Sequence, residues 1–234
     1  MRIGTDSTRG GRTVVAFAVL ALFIVTSPSQ AEQSPEWEVA LNEEGIKVST
    51  REVPGSSYEE YKGVTTVPAS AASVMAIFTD PGANQEWLHG CSKLETIENS
   101  GFHSQTLYQV FDFPWPATDR DFVIDFDIRQ TGENEFFMAM HDRSDKVSKK
   151  IDRVRAKMAS GYYEIRQVST DKTEVVMAQH VEPNGDLPAW MVNSLITDTP
   201  FHSLKNLRDM VTRETYSNAA FVRDEEGRVS GVTH

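Results

Sequence analysis

Arg120 is the residue whose position makes the strongest chemical demand. It heads the run Arg120-Asp121-Phe122-Val123-Ile124-Asp125-Phe126-Asp127-Ile128 and shares the parity of its phenylalanines. A guanidinium on an apolar strand face must be paired or must meet a ligand, because an unpaired buried charge is strongly destabilising. The preferred reading is a brace: a salt bridge, or a contact that pins the Pro114–Pro116 turn. The other is a polar contact to something bound. Asp119 and Asp121 point elsewhere by alternation. Arg155 is a second candidate of the same kind.

The remaining reactive residue types form no catalytic pattern. The histidines at 89, 103, 141, 180 and 202 show no H-E-x-x-H or other ligand spacing, so no metal is expected. There is no G-x-S-x-G elbow and no C-x-x-C pair. The glycines make neither phosphate-cradling pattern, so no nucleotide cofactor is expected. Cys91 is the lone cysteine, which excludes an internal disulfide and reads as a small buried apolar residue. The basic run Lys146–Arg155 reads as a solvated loop, with headgroup contact as the alternative.

The elements that position these residues follow from periodicity. Residues 120–128 alternate, with Phe122, Ile124, Phe126 and Ile128 on one face and Asp121, Val123, Asp125 and Asp127 on the other. That is an antiparallel strand with one wet face. Further strands are expected at 46–51, 58–67, 94–97, 105–113, 135–141, 162–168 and 174–181. Pro35–Leu41 predicts a short first helix ended by Gly45. Ser70 caps a helix carrying Val74, Ile77 and Phe78, Asp80-Pro81-Gly82 stops it, and a short helical piece carries Trp87 and Leu88. The last element is helical: Ala189–Thr197, then Pro200, then a stripe of Phe201, Leu204, Leu207 and Val211. From Arg213 to His234 the chain reads as a frayed polar tail. Strands grouped without alternating helices mean an antiparallel α+β fold.

The N-terminus is set apart. Arg2, Arg9 and Arg12 precede an uncharged run from Val14 to Val25 and then Ser27-Pro28-Ser29-Gln30-Ala31. This three-part layout predicts an export signal over residues 1–31, cut after Ala31, and hence a periplasmic or secreted protein. The run is shorter than the ~20 residues of a spanning helix. Cleavage would remove Arg2, Arg9, Arg12 and Asp6, moving the formal charge from −11 to −13. Such a surface repels nucleic acid and acidic headgroups, so nucleic-acid binding is not expected and membrane contact is expected to be transient.

Four stretches resemble the START (StAR-related lipid-transfer) family. They are Gly45-Ile46-Lys47-Val48 with Arg51 and Tyr61-Lys62-Gly63; Thr79-Asp80-Pro81 through Trp87, Cys91 and Leu94-Glu95; Phe113-Pro114-Trp115-Pro116 with Asp119-Arg120-Asp121; and Leu187-Pro188-Ala189-Trp190 with Pro200-Phe201 and Leu204. They cover roughly residues 35–212, in the family's order. The resemblance implies a helix-grip fold: a curved antiparallel sheet wrapped around a long C-terminal helix, with an internal cavity for one hydrophobic molecule or lipid. The expected wall is Phe122, Ile124, Phe126, Met138, Met140, Met177 and Gln179. The expected lid is Trp190, Asn193, Leu195, Ile196, Phe201 and Leu204. Each alone is compatible with ordinary core packing. A monomeric carrier or binder is the leading reading. An enzyme of cyclase or hydrolase type using the same cavity is the alternative, since one fold supports both.

Overall fold

The computed structural model describes Met1, Gly4 and residues 35–233; apart from those first two residues, the expected export segment and its cleavage point lie outside the described residues. Ten strands form one sheet. They are β1 (Glu38–Glu43), β2 (Ile46–Arg51), β3 (Glu60–Val67), β4 (Cys91–Asn99), β5 (Ser104–Phe111), β6 (Arg120–Gly132), β7 (Glu135–Asp142), β8 (Val154–Arg155), β9 (Lys157–Ser169) and β10 (Lys172–Glu182). The order across the sheet is β1-β2-β3-β10-β9-β7-β6-β5-β4. All these pairs are antiparallel; the short β8 joins β6 in parallel. This is the helix-grip fold.

Three helices complete it on the apolar face. Ser70 caps α1 (Ala71–Thr79) by accepting from the Ser73 amide at 3.2 Å. Asp80 then stops α1 and caps α2 (Pro81–Trp87), accepting from the Gly82 amide at 2.8 Å, with Pro81 where its missing N–H costs nothing. The long α3 (Ala189–Met210) is one continuous helix with Pro200 inside it. It can approach the sheet because β3 carries Gly63. A Cβ there would stand 2.8 Å from Leu204 Cδ1 and 3.0 Å from Pro200 Cβ.

Three expectations are corrected. Residues 38–43 are a strand, not part of a helix. Glu44 and Gly45, both at positive φ, fold them back onto β2, and Trp37 lies 4.4 Å from both Arg51 and Lys62. Tertiary pairing here overrides local helix propensity. The C-terminal segment is not frayed: α4 (Glu214–Ser217) leads to a hairpin of β11 (Phe221–Arg223) and β12 (Val229–Val232). Tyr216 donates to Asp80 Oδ2 at 2.8 Å, and Val229 is buried in the main core. Finally, the face of β6 carrying Asp121 and Val123 is not wet. Val123 packs with Tyr108, Val110 and Val147 beneath the loop 143–153.

Candidate functional site

The inner face of the sheet is set by register. Gln109 of β5 pairs with Phe122 of β6, Phe126 with Met140 of β7, and Gln179 of β10 with both Tyr61 of β3 and Gly161 of β9. Of these, Tyr61, Gln109, Phe122, Met140 and Gln179 line a cavity of about 150 Å³ beneath α3. Phe122, Ile124, Met140, Met158, Met177 and Val181 supply its apolar wall; Val192, Leu195, Ile196 and Thr199 of α3 cover it. Gly161 makes room, since a Cβ there would lie 3.0 Å from the sulfurs of Met140 and Met158. His89, Gly90 and Asp112, which are exposed, mark where the cavity meets solvent.

Among the described residues the interior carries the Gln109 amide and, apart from it, a hydrogen-bonded polar chain through Gln179. Tyr61 donates to Gln179 Oε1 at 2.7 Å, and Gln179 Nε2 donates to the Tyr163 hydroxyl at 3.2 Å and faces Met140 Sδ at 3.5 Å. Burial raises the pKa of both phenols far enough to keep them protonated at physiological pH. Burial likewise pushes the Cys91 thiol up to about 11, so it is no thiolate nucleophile at neutral pH. Among the described residues, no three His, Cys, Asp or Glu side chains gather as for a metal ion.

Of the wall residues expected from sequence, Phe122, Ile124, Met140, Met177 and Gln179 line the cavity, as do Ile196 and Leu195 of the lid. Phe126 and Met138 line a separate void of about 10 Å³ behind it. The other lid residues do not line the cavity. Trp190 is 70% exposed, Asn193 is exposed on the far side of α3, and Phe201 and Leu204 belong to the packed half beyond Pro200. The reason is helix phase: residues 192, 195, 196 and 199 form the stripe that faces the sheet. Sequence reasoning missed Tyr61, Gln109, Met158 and Tyr163. Gln109 was legible in the alternation Leu107, Gln109, Phe111, once β5 and β6 pair as a hairpin.

Arg120 does not line the cavity either. Its Nε donates to Pro183 O at 3.3 Å, Nη2 to Asn184 O at 3.0 Å and Nη1 to Thr118 O, and its guanidinium lies 4.7 Å from the Phe113 ring centre. It ties the β5–β6 loop to the β10–α3 loop. β8, at the end of the third loop, 143–153, joins them: Val154 N donates to Asp119 O at 3.0 Å and Asn184 Nδ2 to Arg155 O at 2.9 Å. Arg155 makes the buried ion pair that Arg120 lacks. Its Nε lies 2.8 Å from Asp121 Oδ1 and its Nη2 3.1 Å from Oδ2, while Tyr108 donates to Oδ2 at 2.9 Å.

Comparison with known proteins agrees with this geometry. The sequence profile of the START domain family matches residues 27–216. An uncharacterised Pseudomonas aeruginosa protein is 31% identical over 196 residues, covering 84% of this chain and 94% of its own. The crystal structure of a STAR-related lipid transfer protein fragment from Xanthomonas axonopodis superposes with a TM-score of 0.70 at 28% identity, covering 76% of this chain and 99% of that one. Human StAR-related lipid transfer protein 5 gives 0.68 at 18% identity over 75% of this chain and 86% of its own, a likeness of fold alone.

Proposed function

The chain belongs to the START domain family, and from that premise we propose that it takes up one lipid in the cavity beneath α3 and carries it between membranes. A hydrophobic ligand-binding role belongs to the family; the lipid and its transfer are the proposal. The observation that carries it is the cavity wall. Three methionines, at 140, 158 and 177, line a space that only half of one helix covers. At about 150 Å³ the space is smaller than the roughly 300–1,000 Å³ of typical ligand pockets, so it must enlarge on filling. Unbranched methionines repack cheaply for that purpose. Tyr61, Gln179 and Tyr163 are hydrogen-bonded in a chain in the interior, Gln109 adds an amide, and among the described residues no base stands beside a nucleophile there. That favours holding a ligand over transforming it.

Exposed apolar side chains supply a membrane contact. Trp115, 91% exposed, stands on the β5–β6 loop, Trp190 at the start of α3, and Ile151, also exposed, on the loop 143–153 beside Lys149 and Lys150. Arg120 and its neighbours tie these three loops together. Exposed tryptophans beside lysines suit the headgroup layer. The test incubates the protein with phosphatidylethanolamine–phosphatidylglycerol vesicles and weighs it by native mass spectrometry. Wild type should gain one lipid. Ile196→Trp, which fills the cavity, should gain none and remain folded. Trp115→Ala with Trp190→Ala should load about thirtyfold more slowly, if each ring contributes on the order of 1 kcal/mol at the surface. An equal adduct on Ile196→Trp would sink the cavity reading.

Export puts this carrier outside the cytoplasm. N-terminal sequencing of protein recovered from the periplasm or medium should start at Glu32. A start at Met1 would count against it.

A further inference from the structure

Gln109 is 3% exposed, lines the cavity, and its side-chain amide has no hydrogen-bond partner among the described residues. Among the described residues the sealed side-chain N or O atom left without a partner is Arg153 Nε, so the Gln109 amide opens onto the cavity space, where a bound group can satisfy it. Tyr163 shows the same lack in part. Its hydroxyl accepts from Gln179, which leaves its own proton without a protein acceptor among the described residues. Both residues line the main cavity and also the small void behind it, which places both at its inner end. Apart from the protonated phenols Tyr61 and Tyr163, the titratable groups lining the cavity, His89 and Asp112, stand at the mouth, and no lysine or arginine lines the interior among the described residues.

We propose that the inner end of the cavity selects an uncharged, hydroxyl-bearing hydrophobe, with the hydroxyl held between the Gln109 amide and the Tyr163 hydroxyl. This rests on the ligand-binding reading above and narrows its chemistry. The hydroxyl donates to Gln109 Oε1 and accepts from Tyr163, so one atom satisfies the amide oxygen and the phenol proton together. A ketone or ester oxygen only accepts, and leaves Gln109 Oε1 unpaired. A carboxylate or phosphate would be buried there without a cation, which is far less favourable.

The test uses three matched probes, 1-octanol, 1-chlorooctane and octanoate, each titrated at pH 8 against the purified full chain while tryptophan fluorescence is followed. Wild type should bind octanol at least about tenfold more tightly than either other probe, because a site built for a hydroxyl penalises an analogue that leaves its groups unpaired. In Gln109→Leu the preference over chlorooctane should fall to within about threefold, with chlorooctane binding retained. Tyr163→Phe, which removes one oxygen and keeps the ring, should act in the same direction and carries the test if the Leu variant does not fold. Equal binding of all three probes by wild type would overturn the hydroxyl site and leave the hydrophobic cavity standing. So would tighter binding of octanoate, or full alcohol preference in both variants. Failure of every probe to bind would overturn the ligand reading together with the hydroxyl site.

Discussion

Replacing Arg155 with Leu should destabilise the protein by about 3–5 kcal/mol, because Asp121 is left as an uncompensated buried charge. The pair is deep: the side chains of Arg155 and Asp121 are 3% and 0% exposed. Both guanidinium–carboxylate bonds form, and Arg155 Nη1 also donates to Ser144 O at 3.0 Å and Val147 O at 2.9 Å. The arginine therefore holds the loop 143–153 over the outer face of β6, where Val147 meets Tyr108, Val110 and Val123. Burial alone would raise the Asp121 pKa. The hydrogen bonds from Arg155 and Tyr108, with the guanidinium charge, outweigh burial and hold it below the ordinary carboxylate value. Its contribution is thus complete above the unfolded value, near 3.9, and is lost as pH falls toward the folded one. Denaturant titrations should show a steep acid limb below about pH 4 in wild type and a shallower one in Asp121→Asn. The double variant Asp121→Leu/Arg155→Leu should recover part of the loss, since an apolar pair leaves no lone charge. An unchanged midpoint in Arg155→Leu would refute this account. Ligand affinity should stay near wild type in these variants, because odd positions of β6 face away from the cavity and Phe122 and Ile124 face into it.

That division within one strand shows what the sequence makes legible. Alternation assigns Phe122, Ile124 and Phe126 to one side of β6 without knowledge of the fold. It does not say which side is wet. The loop 143–153, rich in Lys, Asp and Ser, reads as solvated, and only the long-range docking of Val147 and Arg155 shows that it covers Asp121. The same limit explains Gln109. A glutamine in a strand reads as solvent-facing until pairing sets it opposite Phe122 on the inner face. For α3 the apolar stripe is visible but its phase is not, so Trp190 and Asn193 read as lid residues although 192, 195, 196 and 199 do the covering. The helix read at Pro35–Leu41 failed for a related reason: residues 38–43 pair with β2 through a two-residue turn, and no local propensity records that pairing. Arg120 was legible as a brace, whereas its partners, three backbone carbonyls on two loops, carry no side-chain signal at all.

Gly63→Ala and Pro200→Ala should shift lipid exchange in opposite directions, because among the described residues the side-chain hydrogen bonds from α3 itself to other elements lie beyond Pro200. Beyond Pro200, Ser203 Oγ accepts from His89 N at 2.9 Å, Asn206 Nδ2 donates to Trp87 O at 3.3 Å, and Arg208 Nη1 donates to Glu44 O at 2.6 Å. Leu204 is fully buried against Gly63. Before Pro200, the side-chain hydrogen bonds of Ser194 and Thr197 stay inside the helix, and its first residue follows Pro188, which offers no side-chain cap. Proline at 200 also leaves Ile196 O without the amide that would close that turn. The half from Ala189 to Thr199, which covers the cavity, can therefore swing about Pro200 while the other half stays on β3. A tether at Leu204 would fix the half that is already fixed, so a cross-link meant to close the gate belongs at Val192 or Ile196. Pro200→Ala keeps the Cβ that meets Gly63 and restores one helix hydrogen bond, worth about 1 kcal/mol, so exchange of a fluorescent lipid should slow about fivefold. Gly63→Ala drives a methyl against Leu204 and Pro200, loosens the fixed half at a cost of about 1–3 kcal/mol, and should speed exchange. Stopped-flow transfer between vesicles measures both. If Pro200→Ala exchanges at the wild-type rate while its melting temperature rises, the hinge is not at Pro200, and opening must instead run through the β5–β6 loop that Arg120 holds.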